Sequence, residues 1–315
     1  MGHLIFRSFD EYAAAIQHAD VRMTLTGMEQ RNWALAYLPV SDISIQWGGG
    51  GSANACEGSS VRGGLTLFVP MFPSDITQWD KQTLLGNGQR LENGSLMILE
   101  PGAEFCIAAT GAHRWSSIFM PYDLLTAMDT PAPKAGQNHH LLSPSYAGES
   151  LQSRVESLAT ILRDTPEALR SDPAMRATKL KISEAVARAF SCNSDATTHS
   201  GRPSLPRACI VRTVLSAIEE HAEEHLSVWK LSNIVGVSER TLRSAFEEYF
   251  GIGPTRYLKI RALREARKSL RLADPSTTSV TDVAVGLGIW EFGRFSHDYK
   301  MLFGELPSET LRKWS

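Results

Sequence analysis

The 315-residue sequence contains no apolar run approaching the roughly 20 residues that a membrane-spanning helix requires, so a helical membrane protein is excluded. Its start resembles no export signal, because Met1 to Asp20 offers only the short patch Leu4-Ile5-Phe6 before Arg7 and Asp10 interrupt it. Met1-Gly2 could open a myristoylation motif, but Phe6 stands where that motif wants Ser or Thr. Cysteine is sparse. Cys56, Cys106, Cys192 and Cys209 are scattered without a C-x-x-C pair, which fits neither a disulfide framework nor a zinc ribbon and points to a reducing, cytoplasmic location. Histidine is sparser still where strands are expected: His113 is the only one between Val21 and Pro121. A metal-dependent enzyme site on strands needs two or three histidines and a carboxylate, so no metal, no cofactor and no catalytic activity are expected.

Strong charge is lacking too, with 32 Lys and Arg against 34 Asp and Glu for a net charge of −2. The distribution is uneven. Residues 204–315 hold 16 basic and 14 acidic side chains, and residues 1–203 hold 16 and 20. Nine of the basic residues fall between Arg240 and Arg271, a local concentration of the kind a nucleic-acid footprint needs.

The 43% hydrophobic content suffices for buried cores, and the length suggests two domains. From about Val21 to Pro121, short β runs such as Trp33–Leu38, Ile43–Trp47, Gly64–Val69, Leu96–Leu99 and Trp115–Met120 are punctuated by Gly48–Gly51, Gly86-Asn87-Gly88 and Asn93-Gly94. This pattern predicts an antiparallel barrel or jelly roll. After Thr130-Pro131-Ala132-Pro133 the period changes. Leu151, Val155, Leu158 and Leu162 form one helical stripe, and Met175, Ile182, Val186 and Phe190 form another beginning near Asp172-Pro173. Residues 193–206 have linker composition, and the sequence beyond them is helical. The expected organisation is a first domain over 1–192, β-rich to about 121 and helical from about 150, a linker over 193–206, and an all-α domain over 207–315.

The last hundred residues repeat themselves. Phe250-Gly251-Ile252-Gly253-Pro254-Thr255 returns 53 residues later as Phe303-Gly304-Glu305-Leu306-Pro307-Ser308, and each copy closes a helix-turn-helix pattern. In the first copy Ser227 and Ser238 can cap two helices around a tight Gly236-Val237 turn. Leu242, Ala245, Phe246 and Tyr249 then point inward, leaving Arg240, Arg243 and Ser244 outward. Arginine donates bidentately to guanine in the major groove and serine permits close approach, so these three are predicted DNA contacts. In the second copy Ser279 or Thr278 caps Val280–Leu287, Gly288 turns, and a helix from about Glu291 to Phe303 presents Phe292, Gly293, Ser296, His297 and Lys300. His297 is the expected base reader, Lys300 a phosphate contact, and Phe292 either a core residue or an apolar contact to a thymine methyl. Between the copies, Thr255 to Leu272 predicts a stiff basic connector with Leu258, Ala262, Leu263, Ala266 and Leu270 inward, able to hold two heads about 34 Å apart along one face of the duplex.

Residues 209–313 closely resemble the DNA-binding domain of the AraC/XylS family of transcription regulators. Leu231, Gly236-Val237-Ser238, Thr241-Leu242, Phe246, Phe250-Gly251-x-x-Pro254, Tyr257, Arg261, Ala266, Val283-Ala284, Gly288, Phe295, Tyr299-Lys300, Phe303-Gly304-x-x-Pro307-Ser308 and Arg312 carry the resemblance. Ile289, Gly293, His297 and Tyr299 depart from the family's usual residues, and Gly293 and His297 alter the second reading face.

The resemblance implies a fold of the α+β class: an N-terminal cupin-like β barrel or jelly roll with flanking helices that binds an effector and dimerises, and a C-terminal domain of two tandem helix-turn-helix motifs. It implies a ligand-responsive activator of a metabolic operon that binds promoter DNA, works with RNA polymerase and acts as a homodimer. The alternative is an architectural DNA binder whose N-terminal part only dimerises. Trp47, Arg62, Trp79, Arg114 and Trp115 are candidate lining for the effector site. An arginine there would favour a carboxylate, hence a small organic acid or aromatic metabolite. His221-Ala-Glu-Glu-His225 matches an inverted zincin string, but it falls on the first helix of the DNA-binding region and is read as an exposed helix face.

Overall fold

The computed structural model describes residues 2–30, 32–72, 83–127, 139–191, 207–221 and 226–313. The chain divides into two compact units. One comprises Met1–Met23, Arg31–Gly51 and Ala55–Gly201; the other comprises Thr24–Gln30, Ser52–Asn54 and Arg202–Ser315. Two short pieces of the N-terminal sequence therefore group with the helical unit. The predicted linker lies outside the described residues.

The first unit is a two-sheet antiparallel fold. One sheet orders β1 (Gly2–Phe6), β3 (Trp33–Val40), β4 (Ile43–Gly50), β11 (His113–Pro121), β6 (Gly64–Met71), β9 (Leu96–Leu99) and β12 (His139–Leu142). The other orders β2 (Ala19–Leu25), β5 (Asn54–Ser60), β10 (Glu104–Ala109), β7 (Leu84–Gly86) and β8 (Gln89–Leu91). Among the helices are α1 (Phe9–Ala14), α2 (Tyr122–Ala127), α3 (Tyr146–Asp164) and α4 (Asp172–Ser191).

The larger sheet is covered on both faces. Strand β6 is buried at every position because Leu65, Leu67, Val69 and Met71 join a core with Leu151 and Val155 of α3 and Ile182 and Val186 of α4, while Thr66 and Phe68 face the other way. A strand buried on both sides has no reason to alternate polar and apolar residues. Trp47 belongs to the helix-facing side, where its indole N–H donates to the Val155 carbonyl at 3.1 Å.

The glycine signals resolve in two ways. Asn87 and Gly88 both take positive φ, 49° and 80°, and form the two-residue turn between β7 and β8 that the sequence predicts. Gly48–Gly51, expected as a turn, instead lies largely within β4. A Cβ at Gly48 would stand 2.3 Å from the Trp115 ring, and one at Gly50 would stand 2.1 Å from the Trp33 ring. These glycines make room for indoles rather than bend the chain.

Of the four predicted effector residues that are described, only Trp115 faces the other sheet, and its indole N–H donates to the Tyr12 hydroxyl at 3.0 Å. Trp47 packs beneath α3. Arg62 is exposed in the turn from β5 to β6, and exposed Arg114 reaches Glu156 at 3.4 Å. Trp79 lies outside the described residues. The two arginines are kept out by their place on strand ends and turns, where the guanidinium stays hydrated.

The second unit contains α5 (Arg207–Glu220), α6 (Val228–Val235), α7 (Glu239–Phe250), α8 (Pro254–Leu272), α9 (Val280–Gly286), α10 (Phe292–Phe303) and α11 (Pro307–Lys313). On α8 the buried stripe is Tyr257, Ile260, Leu263, Ala266, Arg267 and Leu270, with Leu258 and Ala262 only half-buried. This stripe is turned from the predicted one because Arg267, bonded to Glu29, takes an inner position.

Candidate nucleic-acid interface

The first helix-turn-helix is built by its caps. The Ser227 side chain accepts from the Lys230 N–H to start α6, Gly236 ends it at φ 71°, and Ser238 accepts from the Thr241 N–H to start α7. Leu231, Leu242, Ala245 and Phe246 are buried beneath this motif, which leaves the opposite face of α7 in solvent. Arg240 and Arg243 are exposed there and Ser244 is half-buried. Tyr249, expected inward, is also only half-buried; Phe250 takes the inner position.

The second motif is capped differently. Ser279 and Asp282 form a reciprocal capping box at the start of α9, and Gly288 turns the chain at φ 69°. Glu291 precedes α10 without any side-chain cap. Phe295, Tyr299, Leu302 and Phe303 are buried, whereas Gly293, His297 and Lys300 are exposed and Ser296 is half-buried. Phe292 is 39% exposed, so it stands on the outer face rather than in the core. Trp290, which sequence reasoning passed over, is 71% exposed just before it. Its signal was visible as an aromatic residue in a turn where half-buried Val237 stands in the first copy.

The basic residues sort into two sets. Several on or beside the connector are engaged: Arg256 donates to the Thr26 carbonyl at 3.0 Å, Lys259 pairs with Asp298 at 2.5 Å, and Arg267 bonds Glu29. Arg207 likewise pairs with Glu248, and Arg294 with Glu291 at 3.3 Å. Among the described residues Arg240, Arg243, His297 and Lys300 carry no such internal bond and lie on the outward faces of α7 and α10, while Arg261 and Lys268 on α8 carry none either. Donors held in solvent on two equivalent helices are available to phosphate and base acceptors.

The segment Thr24–Gln30 closes over this unit. The Glu29 N–H donates to the Leu302 carbonyl at 2.6 Å, and its buried carboxylate meets Arg267, whose guanidinium lies 4.4 Å over the Phe303 ring. Beside it Tyr299 donates to Thr310 at 2.8 Å, Thr310 to Glu305 at 2.8 Å, and Lys313 to Glu305 at 3.0 Å. Burial pushes the Glu305 carboxyl up, but the bonds from Lys313 and Thr310 outweigh it and hold the group below the usual carboxylate range. Burial drives the Tyr299 hydroxyl up to about 12.

Two helix-turn-helix motifs joined by one connector, each with an outward helix, define a nucleic-acid-binding class of domain. Residues 231–313 match the family described as "Helix-turn-helix domain". The chain is 37% identical over 169 residues to the "Probable thc operon regulatory protein" of Rhodococcus erythropolis, covering 53% of this chain and 50% of that one. It is 34% identical over 113 residues to the "XylDLEGF operon transcriptional activator" of Pseudomonas putida, covering 36% and 33%. A solved structure of a probable AraC family transcriptional regulator from Rhodopseudomonas palustris CGA009 shares 35% identity, covers 33% of this chain and 96% of that one, and superposes with a TM-score of 0.31. The chain belongs to the AraC/XylS family. It spans between a third and a half of the length of these two curated relatives.

Proposed function

We propose that this protein is a sequence-specific DNA-binding transcription regulator that activates a metabolic operon in response to a small molecule. The observation that carries the reading is the sorting of its cations: Arg240, Arg243, His297 and Lys300 stay exposed and unbonded on α7 and α10, while many neighbouring bases are tied inside the unit. In this reading α7 and α10 enter successive major-groove segments, the N-terminal unit binds the effector and forms a homodimer, and the DNA-bound protein contacts RNA polymerase in the cytoplasm. An effector acts through its different affinity for two states of the protein.

The test is selection of binding duplexes from a random library, followed by footprinting with the protein and a metabolite panel. Two protected major-groove segments about one helical turn apart are expected, with affinity falling steeply as salt rises. A single short protected segment, or binding indifferent to sequence, would sink the tandem reading. DNA binding that no metabolite alters would favour the architectural alternative.

A further inference from the structure

The strand registers bring a polar patch together on the face of the larger sheet turned away from α3 and α4. Ser44, Phe119 and Thr66 lie in one row across β4, β11 and β6, and Tyr37, Gln46 and Ser117 lie in the next across β3, β4 and β11. This face looks toward the smaller sheet, since a Cβ on Gly86 would stand 3.1 Å from the Met97 sulfur, and Met97 pairs with Phe68 beside Ser117.

Two side chains in the patch are buried with their hydrogen-bonding capacity unused. Gln46 is 1% exposed and Thr66 is 5% exposed, yet the Gln46 Nε2 and the Thr66 hydroxyl have no partner among the described residues. Gln46 is oriented rather than loose, because its Oε1 accepts from the Gln17 N–H at 3.2 Å and so leaves the NH₂ as the open end. Buried polar groups are normally bonded, and those that are not call for a missing partner. Tyr37, Ser117 and Phe119 are only half-buried, so the patch is reachable. His18 already occupies one flank, stacked on Phe119 at 5.1 Å and bonded to the Ser44 hydroxyl at 2.7 Å.

The patch also limits the charge of an occupant. No Lys, Arg, Asp or Glu stands in these two rows, so they offer no counter-charge to an ion that gives up its hydration there. The arginines that suggested a carboxylate ligand point elsewhere.

We propose that Gln46 and Thr66 form the two ends of a small-molecule site selective for an uncharged, flat molecule that carries a carbonyl oxygen and a second hydrogen-bonding group. Gln46 lies two strands and one row from Thr66, a span of about 12 Å between backbones. The carbonyl meets the Gln46 NH₂, the far group meets the Thr66 hydroxyl, and the ring crosses Ser117 between them, beside the His18 ring that already stacks on both Phe119 and Tyr37. The site rests on the reading of the N-terminal unit as the effector-binding unit and specifies its chemistry.

The matched probes are 4-hydroxybenzamide and 4-hydroxybenzoate, which share a ring and a length but differ in charge. In thermal melts of the full chain, the amide is expected to raise Tm increasingly with concentration and the carboxylate to leave it unchanged. Thr66→Val, which replaces only the hydroxyl, and Gln46→Leu should both melt cooperatively and lose the response. A carboxylate that stabilises more than the amide, no response to the amide, or a response undiminished in both variants overturns the proposal. DNA affinity, measured separately, keeps the two readings apart. If the amide binds through these residues without changing DNA affinity, the site stands and the effector role falls. If another metabolite changes DNA affinity equally in wild type and Thr66→Val, the effector role stands and this site falls.

Discussion

The two reading heads share a backbone and differ in what holds them. Both reading helices end on a left-handed glycine, Gly251 at φ 66° and Gly304 at φ 71°, followed by proline at the start of the next helix. Beneath the first head the packing is aromatic: Phe246, Phe250 and Tyr257 lie with centroids 5.3, 5.4 and 4.9 Å apart. At the matched positions 53 residues on, Phe246 becomes Tyr299, Ile252 becomes Glu305 and Tyr257 becomes Thr310. These three replacements are bonded to one another, Tyr299 to Thr310 and Thr310 to Glu305. The duplicate has thus exchanged part of an apolar core for a polar chain, and Arg267 stacks on Phe303 where the two meet. A repeated fold can keep its shape while the physics that stabilises it diverges, provided that each new buried polar group arrives with its partner.

The largest way to break this comparison is Arg267→Met. The change removes the cation that Glu29 bonds and that lies 3.9 Å from Glu305, leaving buried carboxylate charge less compensated. A loss of about 3–5 kcal/mol is expected, read by urea unfolding. Hydrogen exchange should show protection falling first over α10 and α11, with α7 spared. Equal loss over both heads would mean that they are not separately anchored.

Next in size are the proposed base contacts. Arg240→Ala and Arg243→Ala should each cost about 1–3 kcal/mol in DNA affinity and relax preference at one base position of the site under the first head. His297→Ala should act on the other site. Unchanged base preference in both arginine variants would show the assigned face of α7 to be wrong.

Tyr299→Phe makes the second head more like the first, and it removes one buried hydrogen bond at a cost of about 1 kcal/mol. Acid sharpens the same contrast. The folded-state pKa of Glu305 is held below its ordinary value, so its contribution is present above the usual carboxylate range and is lost as pH falls through the lowered one. Protection of α10 and α11 should therefore weaken in acid before that of α7. His113 gives a control in the first unit: burial lowers its pKa to about 4, so the unfolded chain takes up the proton first and stability falls between about pH 6.5 and 4.

Much of the helical unit was legible because its signals are local. Caps at Ser227, Ser238 and Ser279, turn glycines and apolar stripes placed the helices to within a residue or two. What escaped was non-local. No pattern on α8 reveals that Arg267 is inside, because the carboxylate that permits it comes from Glu29, 238 residues away. The glycines of β4 gave the same difficulty, since their meaning lies in indoles from β3 and β11. Trp47 and Trp115 are both buried tryptophans on sheet strands; only pairing register assigns them to opposite faces, one toward the helices and one toward the other sheet.

The smallest expected effect discriminates most finely between the heads. Lys300 lies on α10 three residues beyond His297, exposed and in the last turn, where a flexible ammonium suits a phosphate better than a base edge. Lys300→Ala should weaken binding to all duplexes alike and reduce the steepness of the salt dependence by about one released counterion. Arg243→Ala, by contrast, should change which duplex is preferred. Anisotropy titrations at three salt concentrations, on the selected duplex and on one with the second site scrambled, separate these effects. If Lys300→Ala alters sequence preference while leaving the salt slope intact, the second head reads bases with the residue assigned to its phosphate contact, and the division of labour along α10 is reversed.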